Sequence, residues 1–384
     1  MLEDVLSVVL LTPMDDPADP TCRWGAPTLF WGPPGIGKSG RVEAAGAAVD
    51  LPVETLYLST LQPEDLSGIP MPTKKGEVEN VCSLPQVRGL TAAGKGILFL
   101  DELTTARPAV QGAGLGVVYN RVVAGKRLPG RVRVIAAANP PEEAAGGWGL
   151  APPMANRLLH LDITPPTGEE WAAWLLSGSE KTPPIEAGEK KVIEGWGSAW
   201  PKYQGLGAGF ARRNASALYK LPPEGSKNRG KAWPSPRSWE VALRAMATAE
   251  ALGKRPLQLR LLAASCGEAV TKEWAEWVAY ANLPDPEDAL KNNWKPDPRR
   301  LDVAFAVYGA AIAFALGKKD KNYAIMAWKL LQGGIDAGLP DLALAPATAL
   351  VRGGWGTKDP AVAAVCRPVI ALFGETGLAN FVGR

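Results

Sequence analysis

The sequence predicts an α/β protein, with a parallel sheet inside the first 164 residues and a second half built from helices. Three observations carry this expectation. Short apolar runs at 27–31, 53–58, 96–100, 131–138 and 158–163 alternate with helical stretches, the pattern of a parallel sheet with crossover helices. The last two runs are rich in Val, Ile and Leu without alternation, as strands covered on both faces are. Past Pro165-Pro166-Thr167-Gly168 no run of comparable quality recurs. The expected organisation is a core over 1–164, a helical segment over 165–252 and a further helical region over 253–384 with no assignable role.

In chain order, residues 1–11 read as an amphipathic helix and 13–20 as a linker with turn chemistry. Ala26-Pro27-Thr28-Leu29-Phe30-Trp31 then reads as a short buried strand. It runs into Gly32-Pro33-Pro34-Gly35-Ile36-Gly37-Lys38-Ser39, a complete phosphate-binding loop of the form G-x-x-x-x-G-K-[ST]. The glycines let successive N–H groups curl into an anion-sized nest. Lys38 has the reach for the β- and γ-phosphates, and the Ser39 hydroxyl can ligate Mg2+. Residues 41–48 follow as the helix whose positive N-terminus faces the phosphates. The expected ATP-binding set is therefore Gly32, Pro33, Pro34, Gly35, Ile36, Gly37, Lys38, Ser39 and the adjoining Gly40.

About sixty residues later, Gly96-Ile97-Leu98-Phe99-Leu100-Asp101-Glu102 reads as a buried strand ending in two carboxylates. Ligands of open α/β sheets bind at that edge. Asp101 is placed to hold the Mg2+ shell, and Glu102 to polarise an attacking water as general base. Residues 131–138 form another buried strand with Asn139 at its tip. A neutral amide there can hydrogen-bond the γ-phosphate or the water without adding charge. Taken alone, Asn139 before Pro140 is also compatible with a simple turn.

Composition bounds the class. The chain has 384 residues, enough for two or three domains, with 46% hydrophobic and 21% charged residues. A net charge of +3 without a dense Lys/Arg run gives no argument for nucleic acid. Cys22, Cys82, Cys266 and Cys366 lie far apart, which fits a reducing compartment and suggests no zinc site. His160 is the only histidine, so a mechanism needing a His pair is excluded. No signal-peptide layout and no run of 18 apolar residues is present, and a cytoplasmic location is expected.

In the second half, helices are expected at 169–176, 210–221, 238–252, 301–316 and 322–331. Twelve of the 14 tryptophans fall at or after Trp148, and packing between helices is their expected role. The charged stretch 291–300 reads as a solvated linker.

The set 32–39, 97–102 and Asn139 resembles Walker A, Walker B and sensor 1 of AAA+ ATPases. Met154-Ala155-Asn156-Arg157-Leu158 resembles the family's N-R-F element, although Leu158 stands where an aromatic is usual. Trp233-Pro234-Ser235-Pro236-Arg237-Ser238-Trp239 resembles the S/T-P-R sensor 2 at the start of a lid helix. The stretches 61–72 and 101–106 are similar to the MoxR-like, dynein-related branch. This resemblance, over 24 to about 252, implies that Arg157 reaches a neighbouring subunit's nucleotide and that Arg237 couples it to lid motion. It also implies a ring, expected to be a hexamer, and a separate von Willebrand factor A-type partner, since this chain has no D-x-S-x-S pattern. Residues 68–86 resemble the branch's insert hairpin, with 73–77 as its turn. The hairpin carries no aromatic to grip a polypeptide.

The expected function is Mg2+-dependent ATP hydrolysis by a ring that remodels a protein client. A nucleotide-gated switch with slow hydrolysis is the alternative. A DNA-acting motor is disfavoured by the near-neutral charge, and a single-subunit kinase leaves Arg157 and Arg237 without a role.

Overall fold

The computed structural model describes residues 2–140, 143, 147–165, 167–169, 185–281 and 283–373. These fall into two compact units. The first comprises Met1–Val192, Tyr219–Ala245 and Pro256–Glu268, and the second Ile193–Leu218, Met246–Arg255 and Ala269–Arg384.

The first unit holds nine strands among the described residues: β1 (Thr28–Trp31), β2 (Val53–Tyr57), β3 (Ile69–Pro72), β4 (Val78–Val81), β5 (Lys95–Asp101), β6 (Val122–Val123), β7 (Lys126–Arg127), β8 (Arg131–Ala138) and β9 (Leu159–Asp162). Five of them form one parallel sheet in the order β2-β5-β8-β1-β9. All five apolar runs expected to be strands lie in it. β8 is central because its Val132, Val134 and Ile135 give buried apolar bulk while Ala136, Ala137 and Ala138 keep its C-terminal half slim. The β3–β4 pair is an antiparallel hairpin closed by Thr73 N–H to Glu77 O at 2.7 Å, at the turn expected from the sequence.

Helix α1 (Leu2–Leu11) is buried along most of its described length, and α2 (Lys38–Ala48) follows the phosphate loop. Further short helices are α3 (Pro63–Ser67), α4 (Pro85–Ala93), α5 (Pro108–Leu115) and α6 (Pro152–Ala155). After α5 the chain makes a π-helical turn over Gly116–Asn120, leaving the regular ladder just before Arg121.

One charged cluster is buried in this unit. Glu189 accepts from both Arg131 and Arg133, and Arg133 also donates to Leu10 O at 3.3 Å. Arg133 and Glu189 are almost fully enclosed. Arg121 is enclosed too, and it donates to Val132 O and to Gly25 O. Burial lowers its guanidinium pKa to about 9, with the charge of Arg133 pushing the same way.

The helical half departs from expectation at 210–221. A single helix, α7 (Ile185–Arg213), contains Pro201 and ends eight residues earlier; only a 3-10 turn over Ala215–Ala217 follows. Pro and Gly read as breakers in sequence, yet here the glycines serve packing. In the second unit, a Cβ on Gly205 would come within 2.6 Å of Phe305 O, and one on Gly209 within 2.2 Å of Asp302 O. The partner helix is Leu301–Lys318, whose own Gly309 faces Gly205. The 238–252 and 322–331 expectations correspond to helices Pro236–Ala251 and Lys321–Asp336. The helix expected at 169–176 lies largely outside the described residues. Trp274 and Trp277 pack around Phe210, and Trp328 is fully buried, so these tryptophans do pack between helices.

Removing the acid from the buried cluster tests how it holds the first unit. Glu189→Ala leaves Arg133 charged and without its acid, and is expected to cost about 3–5 kcal/mol of stability in urea unfolding. A loss under about 1 kcal/mol would show that backbone carbonyls alone satisfy Arg133.

Candidate active site

The site begins where β1 ends. Trp31 pairs with both Ala138 and Asp162, so three strands terminate at one level, and β5 brings Asp101 to the same edge. The loop leaves β1 and enters α2 through Gly35 at φ 81° and Gly37 at φ 80°. A Cβ on either would meet no atom within 4 Å. The need for glycine is therefore backbone conformation alone, the left-handed turn that aims successive N–H groups inward.

Lys38 spends its donors inside this edge. Its Nζ donates to Gly32 O at 2.7 Å, Pro33 O at 2.9 Å and Asn139 Oδ1 at 2.7 Å. Burial lowers its pKa, opposed by the charges of Asp101 and Glu143. Ser39 Oγ donates to Asp101 Oδ2 at 2.8 Å. Two hard oxygens side by side suit Mg2+, which takes few protein ligands and keeps its remaining positions for water and phosphate. Among the described residues no group of three or more His, Cys, Asp or Glu side chains is placed to hold a metal.

Glu102 is the first residue past β5 and takes φ 59°, a left-handed conformation unusual for a side-chain-bearing residue. Its carboxylate accepts a hydrogen bond from Ser59 Oγ, and its own N–H donates to Asp101 Oδ1 at 2.8 Å. Strain of this kind gathers at functional positions. Asn139 is fixed from behind by Thr104 Oγ1, which donates to its carbonyl at 3.1 Å.

The two remaining candidates stand together at a different place. Arg157 lies 5.7 Å and Arg237 4.9 Å from the centroid of the Tyr119 ring. Arg157 donates to Pro153 O at 2.7 Å, while its Nε is buried without an acceptor. Burial lowers its pKa, and the charge of Arg237 lowers it further. Among the described residues neither arginine has a carboxylate partner or a hydrogen bond to the phosphate loop. The segments that carry them are stapled by Asn156, whose Nδ2 donates to Trp233 O at 3.1 Å and whose Oδ1 accepts from Ser235 Oγ at 2.7 Å. Ser235 N in turn donates to Ser238 Oγ at 2.8 Å, fixing the start of the helix that bears Arg237.

Sequence reasoning missed Ser59, Tyr119 and the bonds of Asn156 to the Trp233–Ser235 segment. Ser59 had a signal, because a hydroxyl just past β2 sits at the sheet's C-terminal edge. Tyr119 had none, since its position depends on the π-helical turn.

His160 takes no part in this chemistry. It lies buried beneath Trp31, accepts from Trp31 Nε1 at 2.8 Å on Nδ1, and donates from Nε2 to Ala155 O at 2.9 Å. Burial pushes its pKa down to about 4. Lys231 covers Trp31 with its ammonium 4.1 Å from the ring centroid.

A phosphate loop at a parallel sheet's C-terminal edge, with an adjacent hydroxyl–carboxylate pair and a glutamate beyond it, defines a P-loop ATPase. Residues 27–158 match the model of the AAA domain, dynein-related subfamily, and this segment holds the phosphate loop, Asp101, Glu102, Asn139 and Arg157. No curated protein matches it. Among solved structures, a protein from Cytophaga hutchinsonii inferred to be an ATPase is similar at 18% identity and a TM-score of 0.39. That match covers 65% of this chain and 74% of the other.

His160 gives a pH test of the packing under the loop. Its folded pKa lies below the unfolded value of about 6.5, so its contribution is complete above that pH and is lost as pH falls toward 4. From pH 7.5 to 5 the loss is expected to be about 2 kcal/mol in urea unfolding. His160→Gln, which keeps an acceptor and a donor, should remove that slope; an unchanged slope would assign it to other groups.

Proposed function

We propose that this chain is a Mg2+-dependent, ring-forming remodelling ATPase that acts on a protein client. The observation that carries the reading is the pair Arg157 and Arg237. Among the described residues, these two guanidinium groups share one tyrosine, have no carboxylate partner and make no hydrogen bond to their own phosphate loop. Such a pair fits the phosphates of a nucleotide held by a neighbouring copy. A hexameric ring is the assembly that supplies one neighbour to every site, and both arginines are then read as acting across the subunit boundary.

Within one subunit, Lys38 exchanges the carbonyls of Gly32 and Pro33 for phosphate oxygens when ATP enters. Ser39 and Asp101 are the residues that would hold Mg2+, which neutralises charge developing on the phosphates. Asn139, tied to Lys38 and Thr104, orients the γ-phosphate or the attacking water. Glu102 takes the proton of that water once it is released from Ser59. Arg157 stabilises the charge of the transition state from the adjoining subunit, a contribution of ~10³–10⁵ in rate for such arginines.

A separate von Willebrand factor A-type protein is the proposed partner, in keeping with the MoxR-like motifs at 61–72 and 101–106. The four free cysteines agree with a cytoplasmic location. A slow nucleotide-gated switch is the second reading, and the Ser59–Glu102 bond favours it by engaging the carboxylate that would take the proton of the attacking water.

Specific activity is expected to rise with protein concentration as subunits assemble. Arg157→Ala should lower kcat by ~10³-fold or more with its own ATP binding intact. Turnover that ignores both dilution and this substitution would exclude the trans-acting arginine. Glu102→Gln should bind ATP normally, measured by equilibrium titration, and lose turnover. Normal hydrolysis in that variant would reassign the base. A residual wild-type rate of only a few turnovers per hour in the assembled protein would favour the switch.

A further inference from the structure

We infer that Tyr119 is a positioning residue for ATP hydrolysis, setting Arg157 and Arg237 as one two-pronged receptor for the neighbouring subunit's γ-phosphate. The inference rests on the trans-acting arginines of the preceding reading and goes beyond it by naming what aims them.

Arginine side chains are long and flexible, and holding two of the same sign side by side is unfavourable without an anion. Something must fix them. The ring of Tyr119 stands 4.9 Å from the Arg237 guanidinium carbon and 5.7 Å from that of Arg157, within the reach at which a π-face attracts a cation. Each contact supplies part of the attraction that a carboxylate would otherwise provide, without neutralising the charge needed for a phosphate.

The backbone beneath the ring is built to hold it there. Tyr119 lies on the π-helical turn Gly116–Asn120, which departs from α-helical spacing. Such turns redirect a side chain by about one position and occur often at functional sites. Arg23, itself paired with Asp15, donates to Tyr119 O at 3.1 Å. Two residues on, Arg121 takes φ 55° and anchors its buried guanidinium on Gly25 O and Val132 O. The turn is thereby tied to the entry of β1 and to β8, the strand that ends at Asn139. On the other side, Asn156 staples the Arg157 segment to the start of the Arg237 helix through Trp233 O and Ser235 Oγ. The staple sets the spacing of the two backbones, and the aromatic ring sets the direction of their side chains.

The phenolic hydroxyl makes no hydrogen bond to another described residue, so the ring and not the oxygen carries the role. This fixes the experiment. In assembled protein, Tyr119→Phe should keep wild-type kcat, and Tyr119→Leu should lower kcat between about tenfold and a hundredfold, the loss that an ångström-scale misplacement of a catalytic group produces. KM for ATP should be unchanged, because each subunit's own loop sets it. Tyr119→Met, which keeps apolar bulk without a π-face, should behave like the leucine variant. Thermal unfolding and the concentration dependence of assembly, measured on every variant, separate misplacement from misfolding or failed assembly. In a double-variant cycle, Tyr119→Leu should cost less on an Arg157→Ala background than alone, the remaining loss acting through Arg237.

Leucine and methionine variants with wild-type kcat, while Arg157→Ala loses turnover, would overturn the proposal. So would a phenylalanine variant as impaired as leucine, or full additivity in the cycle. If Arg157→Ala itself leaves kcat unchanged, the trans-arginine reading fails and this proposal falls with it.

Discussion

The candidate site depends on one alignment, the shared ending of three parallel strands. β1, β8 and β9 stop in register, Trp31 opposite Ala138 and Asp162, and β5 ends beside them at Asp101, one residue past its Leu100–Ala136 pair. Three groups from separate parts of the chain thereby meet: the carbonyls of Gly32 and Pro33, the amide of Asn139 and the carboxylate of Asp101. Lys38 and Ser39 close the arrangement from the first turn of α2. A slip of one residue in β8 would invert its side chains and carry Asn139 off the edge. The alanines at 136–138 matter for the same reason, since bulk there would separate strands whose ends must coincide.

Beyond that edge, the structure holds its polar groups in partnerships that a nucleotide would replace. The Lys38 ammonium has three donors and all three are used. Glu102 is turned by a left-handed backbone and bonded to Ser59. Lys38, the buried one of the two, is left with no bare charge, so the chain avoids the several kcal/mol that an unsatisfied buried ion costs. Each arrangement also delays function, because a bond must break before the group can act. That delay links the two readings of the protein: a remodeller and a slow switch differ in how readily Ser59 gives up Glu102.

The core was legible in sequence because its signals are local. An apolar run buried on both faces, a glycine-rich loop and a carboxylate after a strand each declare themselves within ten residues. Asp101, Glu102 and Asn139 can therefore be placed on one edge from the sequence pattern. The relation between Arg157 and Arg237 was not legible, since it arises from Tyr119 and Asn156, 38 and 81 positions away respectively from the arginine each brings in. Helix α7 was hidden for a different reason. Its Pro201, Gly205 and Gly209 lower intrinsic helix propensity, and only contact with the Leu301–Lys318 helix repays that cost. Propensity speaks for the isolated segment, and packing decided here.

The same packing explains the composition of Leu301–Lys318. Among the described residues it is the one helix apolar and long enough to cross a membrane by those criteria alone, yet most of it is buried inside the second unit. Its Asp302 is enclosed, accepts from Trp277 Nε1 at 3.3 Å and pairs with Arg300 at 3.0 Å. A helix surrounded on nearly all sides must be apolar nearly all round, whichever medium surrounds the protein. Gly205 and Gly209 let the neighbouring backbone approach to within contact of its carbonyls, while Tyr308 reaches Leu330 O at 3.0 Å on the helix behind. Hydropathy therefore records the centrality of this helix in its unit, and the small residues of its partner record how closely that unit is packed.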